Sequence, residues 1–138
     1  MRHLLALATT SVLLACGSPP PPGDYSEPQT ASAAVEFLIT SAANDFRSQR
    51  SPQPVRFREV RSGYVVTPGG ARQYRLCGEF LPANAGDKAG WIAFATIKTS
   101  PYEQWLGEQA LTFCKHAPMT WDKEDLSSRL LSRFNSLR

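Results

Sequence analysis

The chain has 138 residues, 42% hydrophobic and 20% charged, enough apolar side chain to bury one core, which excludes wholesale disorder. Its formal charge is +3, from 15 basic and 12 acidic residues, and loss of residues 1–15 takes away Arg2 alone and leaves +2. A charge that small excludes the dense basic stripe of nucleic-acid binders, so no nucleic-acid partner is expected.

In chain order, Met1-Arg2-His3 is a short basic start, and Leu4 to Leu14 is an apolar run of eleven residues without a charge. That run is shorter than the roughly 20 residues a membrane-spanning helix needs. A basic start, a short apolar stretch and small residues before a cut describe a signal peptide. Leu13-Leu14-Ala15-Cys16 then resembles the lipobox of bacterial lipoproteins, with Leu14 a less usual residue at its position. The resemblance implies cleavage after Ala15, a diacylglycerol thioether on Cys16 and acylation of the new amino group. Several acyl chains hold a protein firmly to a bilayer, where one holds it marginally. The rival reading is a plain signal peptide with Cys16 as an incidental thiol. Gly17 follows, with no Asp at that position, which favours the outer membrane, facing the periplasm, over the inner one.

Four consecutive prolines, Pro19 to Pro22, favour extended polyproline II. Residues 16–30 thus read as a lipidated Cys and a semi-rigid Pro-rich tether, and residues 31–138 as one domain. A ligand for a proline-recognition module is the sharper alternative for the tether.

Ser32 to Arg50 is predicted as a helix. Val35, Leu38, Ile39, Ala42 and Phe46 make one apolar stripe, Ser32 or Thr30 can cap the start, and Pro52 and Pro54 end it. Pro54 to Val66 turns to strand composition, with a bulge or bend expected near Glu59-Val60 and Gly63. Thr67 to Gly70 is a turn, Arg72 to Leu81 a second strand, Pro82 to Ala89 a loop, and Gly90 to Lys98 a third strand. Tyr102 to His116 is ambiguous, because Gly107 interrupts its apolar residues. Asp122 to Leu137 is predicted as a helix with Leu126, Leu130, Phe134 and Leu137 on one face, and Thr120 or Asp122 as its cap. The expected fold is therefore α+β, a small antiparallel sheet of three to four strands flanked by an N-terminal and a C-terminal helix.

Once Cys16 carries lipid, Cys77 and Cys114 remain, an even number in an oxidising compartment, and a disulfide between them is expected. Metal binding is the rival, but His116 is the sole histidine beyond residue 15, and no second pair stands at ligand spacing. No metal and no cofactor are expected.

Pro54-Val55-Arg56-Phe57-Arg58-Glu59-Val60, then Cys77-Gly78-Glu79, Asn84, and Gly90-Trp91-Ile92-Ala93-Phe94 resemble a group of small uncharacterised bacterial envelope lipoproteins. Those share a Cys-Gly-Glu strand, an Asn and a Gly-aromatic-x-x-Phe strand. Here Leu81 stands where an Asn is usual, Ala93 replaces a second Gly, and the loop before Gly90 is longer. The resemblance covers residues 50–98. It implies a helix-flanked sheet and a disulfide from the Cys-Gly strand to the C-terminal region, and it supplies no activity.

A nucleophile, a base and an orienting group are not visible together, so no catalytic residue is expected. Glu59 and Glu79, on neighbouring strands, have the residue types of a glycosidase pair, but the arginines around them favour salt-bridged surface residues. Between Arg47 and Arg75 there are seven arginines against one glutamate. Arg56, Arg58, Arg61, Arg72 and Arg75 would form a face for an anionic partner, or else a solvated face that keeps a sheet edge from aggregating. The leading expectation is a membrane-anchored envelope lipoprotein, partnered by the bilayer through Cys16 and by an envelope protein, acting as a non-enzymatic binding or accessory module. The alternative is an inhibitor of an envelope-degrading, lysozyme-like hydrolase, with Pro82–Ala89 as the inserting loop. A weak hydrolase ranks last.

Overall fold

The computed structural model describes residues 30–49, 53–83 and 90–137. The lipobox with Cys16, the proline tether and most of the loop before Gly90, Asn84 included, lie outside the described residues.

Helix α1 (Ala31–Ser48) buries the predicted stripe: Leu38, Ile39, Ala42 and Phe46 are buried together with Ala34, Ser41 and Ala43. Its start is fixed by Thr30, whose Oγ1 accepts the Ala33 N–H at 3.2 Å and satisfies one of the orphan donors of the first turn. Then come β1 (Pro54–Val66), β2 (Arg72–Pro82), β3 (Ile92–Lys98), β4 (Tyr102–Leu106), α2 (Glu108–Cys114), β5 (Thr120–Trp121) and α3 (Ser127–Ser136). The class is α+β, and the sheet has five strands in the order β4-β3-β2-β1-β5, every neighbouring pair antiparallel. The ambiguous stretch resolves into β4 and α2, joined at Gly107 with φ +65°, a left-handed conformation that suits glycine.

The C-terminal helix starts at Ser127, five residues after the predicted start at Asp122. Asp122 N–H donates to Ser62 O at 2.9 Å and Leu126 N–H to Val60 O at 2.7 Å. The backbone ahead of α3 is thus spent on the β1 edge and cannot wind into a turn. Neither Thr120 nor Asp122 caps the helix; the Asp125 carboxylate accepts the Ser127 N–H at 2.8 Å.

Helices α1 and α3 cover one side of the sheet, and the main core lies between. Phe46 is its centre, meeting the rings of Phe57, Phe80 and Phe94 edge-on at centroid distances of 5.4, 4.9 and 5.3 Å. This T-shaped arrangement sets ring edges against ring faces, as the aromatic quadrupole favours. Leu126, Leu130 and Phe134 of the C-terminal segment close that core.

Strand β1 carries a bulge at Glu59-Val60, as expected there, whereas Gly63 pairs in regular register with Arg75. Arg58 pairs with Glu79 and Arg61 with Cys77, so Glu59 and Val60 together oppose Gly78 alone. Glu59 sits at φ +53°, a position where bulges of this kind usually place glycine. Val60 turns inward and is fully buried. Gly78 makes room for it: a Cβ there would come within 2.7 Å of Val60 Cγ2 and 3.0 Å of Val60 Cα.

Candidate binding cleft

The second side of the sheet is built from small residues. Cys77, Ala93 and Ala95 alternate outward on β2 and β3, and Ala110 of α2 is buried beside them. Small side chains let a seven-residue helix approach closely, but a helix that short has little stability of its own. Three contacts hold it. The Cys77–Cys114 disulfide joins its last residue to the middle strand. Arg75 Nη1 donates to Phe113 O at 2.7 Å. The rings of Trp105 and Phe113 lie 5.3 Å apart.

Because α2 is short, it covers the sheet only at the level of Arg75, Cys77 and Ala95. Beyond it lies an open cleft of about 670 Å³, within the size range of small-ligand sites. Its floor is Cys77, Gly78 and Ala93. Leu111, Cys114 and Lys115 line it from α2 and its end, and Arg61, Trp121 and Asp125 from the other side, with Glu59 and Glu79 also contributing.

The five arginines of the sequence divide. Arg56, Arg58 and Arg61 are exposed on the cleft side, the bulge having restored Arg61 to the face that Arg58 occupies. Arg75 is on the same side but buried under α2. Its Nη2 donates to Gln73 Oε1 at 2.9 Å, and desolvation pushes its guanidinium below the usual range. Arg72 belongs to the opposite side, its guanidinium 4.5 Å from the centre of the Tyr64 ring.

The three exposed arginines are ordered by aromatic rings and acceptors. Arg58 reaches across β2, donates through Nε to Glu79 Oε2 at 2.7 Å, and lays its guanidinium 4.3 Å from the Trp91 ring centre. Arg56 approaches the same ring at 5.9 Å. Arg61 donates through Nε and Nη2 to Asp122 O at 3.2 and 2.9 Å, with Trp121 at 5.6 Å. Each exposed pair contributes at most about 1 kcal/mol to stability. What the arrangement supplies is orientation: planar guanidinium forks held beside planar rings.

No family model, no curated protein and no solved structure matches the chain.

Glu59 and Glu79 both line the cleft, but Glu79 is spent on Arg58. His116 is exposed, just beyond α2. Among the described residues no three His, Cys, Asp or Glu side chains converge to hold a metal ion. The set is one of recognition groups: aromatic rings, guanidinium forks and partly committed carboxylates. Trp91, Trp121, Leu111, Lys115 and Asp125 were not legible as site residues. Trp91 shares the odd-numbered, outward alternation of Ala93 and Ala95, which marks its face but not its arginine partners. Trp121 reaches the cleft only through the two-residue pairing of β5 with Gly63 and Tyr64.

Proposed function

We propose that this chain is a lipid-anchored envelope protein, held by acylated Cys16 at the periplasmic face of the outer membrane, that acts as a non-enzymatic binding module for an envelope protein. One observation carries the reading. One side of the sheet is sealed by α1 and α3, while the other is walled by a covalently clamped short helix that leaves Arg61 and Trp121 lining an open cleft, with the Arg58–Trp91 pair on the same side of the sheet. A clamp of that kind preserves the shape of a surface that has only the small buried cluster of Cys77, Ala95 and Ala110 beneath it. The Cys77–Cys114 bond also fits an oxidising compartment.

The test is crosslinking in intact cells followed by recovery of the protein, alongside the variant Cys16→Ser. Membrane attachment lost in Cys16→Ser, and a stoichiometric adduct with one envelope protein, are the expected results. Membrane retention unchanged by Cys16→Ser defeats the anchor. An adduct with an envelope hydrolase whose rate falls on binding would replace the accessory role by that of an inhibitor.

A further inference from the structure

The cleft side carries enough chemistry to say what kind of partner segment it takes. On it, Glu79 is neutralised by Arg58, and Asp125 accepts from the Ser127 backbone at the start of α3. Among the described residues around the cleft and Trp91, that leaves Arg56, Arg61 and Lys115 against Glu59 and Asp125 as charges in no side-chain ion pair. Arg56 and Arg58 share one ring, Trp91, at 5.9 and 4.3 Å. Arg58 spends its Nε on Glu79, and among the described residues its terminal nitrogens and the fork of Arg56 have no acceptor. Stacking on a half-buried ring removes rotamer freedom before any ligand arrives, so less is lost when a carboxylate accepts from the forks. Beside this cationic rim, Trp121 and Leu111 give the cleft an apolar lining.

Resting on the binding-module reading, we propose that this side docks an acidic segment of a partner protein. A carboxylate accepts from the Arg56 and Arg58 forks above Trp91, and an apolar side chain of the same segment enters the cleft that Trp121 and Leu111 line. Three features favour a protein over an anionic bilayer. The surface is concave, where a bilayer presents a plane. Carboxylates are interleaved with the arginines, which repels a uniform sheet of phosphates but matches a chain of mixed side chains. Its half-buried aromatic and exposed cationic groups are chiefly Trp and Arg, the residues that dominate protein–protein hot spots, with Lys in the minority.

The experiment titrates the full chain bearing Cys16→Ser with a synthetic peptide that alternates Glu with Leu and Phe. The same peptide with Gln in place of Glu, and phosphatidylglycerol vesicles, are the comparison probes, and tryptophan fluorescence is the readout. Saturable binding of the Glu peptide is expected, at least about tenfold weaker for the Gln peptide and about tenfold weaker again for Arg56→Glu. Arg56 is exposed, so the melting curve of that variant should overlay the parent, and Arg72→Glu on the opposite side should bind as the parent does. Equal binding of the two peptides, no binding of the Glu peptide, or binding to vesicles alone overturns the proposal. In cells, a photo-reactive residue at position 56 should form an adduct, and one at exposed position 132 on α3 should not. An adduct at 132 without one at 56 removes this docking site and leaves the binding module standing; none at any surface position removes both.

Discussion

Gly78→Ala tests the packing that bends the sheet. The added methyl lies 2.7 Å from Val60 Cγ2, 3.0 Å from Phe94 Cε1 and 3.0 Å from Val60 Cα, where carbon atoms prefer about 3.5–4.0 Å. The Phe94 ring is fully buried, and the Val60 Cα is backbone inside a bulge, so neither yields without moving β1 against β2. Overpacking of this kind costs about 1–3 kcal/mol. The smaller unfolded-state entropy of alanine offsets about 0.4–1 kcal/mol of it. The expected net loss is about 1–2 kcal/mol, a fall in Tm of about 4–8 °C for each kcal/mol in a domain of this size. Urea unfolding followed by tryptophan fluorescence measures it, with the slope m unchanged. Val60→Ala removes the nearest obstructing atom, so Gly78→Ala combined with Val60→Ala should cost at least about 0.5 kcal/mol less than the two single variants added. An unchanged midpoint for Gly78→Ala, or strict additivity in the pair, would refute the steric account.

Cys77→Ala with Cys114→Ala opens a link between residues 37 apart in sequence, with an expected loss of about 4 kcal/mol in chemical denaturation; intact mass of the parent with and without reductant reports the bond itself. Glu59→Val places a β-branched residue at φ +53° and should destabilise by about 1–2 kcal/mol, whereas Glu59→Gly should not lower Tm. The Asp125 carboxylate is held below its ordinary range, first by the Ser127 side chain and then by the Ser127 backbone N–H. A depressed folded-state value means stability that is present above the unfolded value and lost as pH falls through the folded one. Parent and Asp125→Ala should therefore differ in Tm at neutral pH, and their melting curves should converge in acid.

The parts of the fold legible in the sequence are those whose period reports burial against a single neighbour. The α1 stripe from Val35 to Phe46 and the strands through Val66, Leu81 and Lys98 all face the main core, and their patterns read cleanly. The elements that build the cleft gave no such signal. Helix α2 has two turns, too few for an apolar stripe, and its placement depends on a covalent bond and on Arg75. Strand β5 has two residues. The backbone from Asp122 to Leu126 is occupied by β1, which no local preference encodes. The arginines show the same limit: alternation places Arg58 and Arg61 on opposite sides, and the bulge at Glu59 brings them to one. Burial of Arg75 depends on a helix contributed by a segment 38 residues away.

The disulfide has a mechanical consequence as well. A load applied to the α2 wall passes through the bonded sulfurs to Cys77 on β2, a strand with partners on both edges. Force arriving there is shared by two ladders of hydrogen bonds, and the fragile element is bypassed. The domain can therefore be pulled through the α2 wall without that wall being the first part to yield.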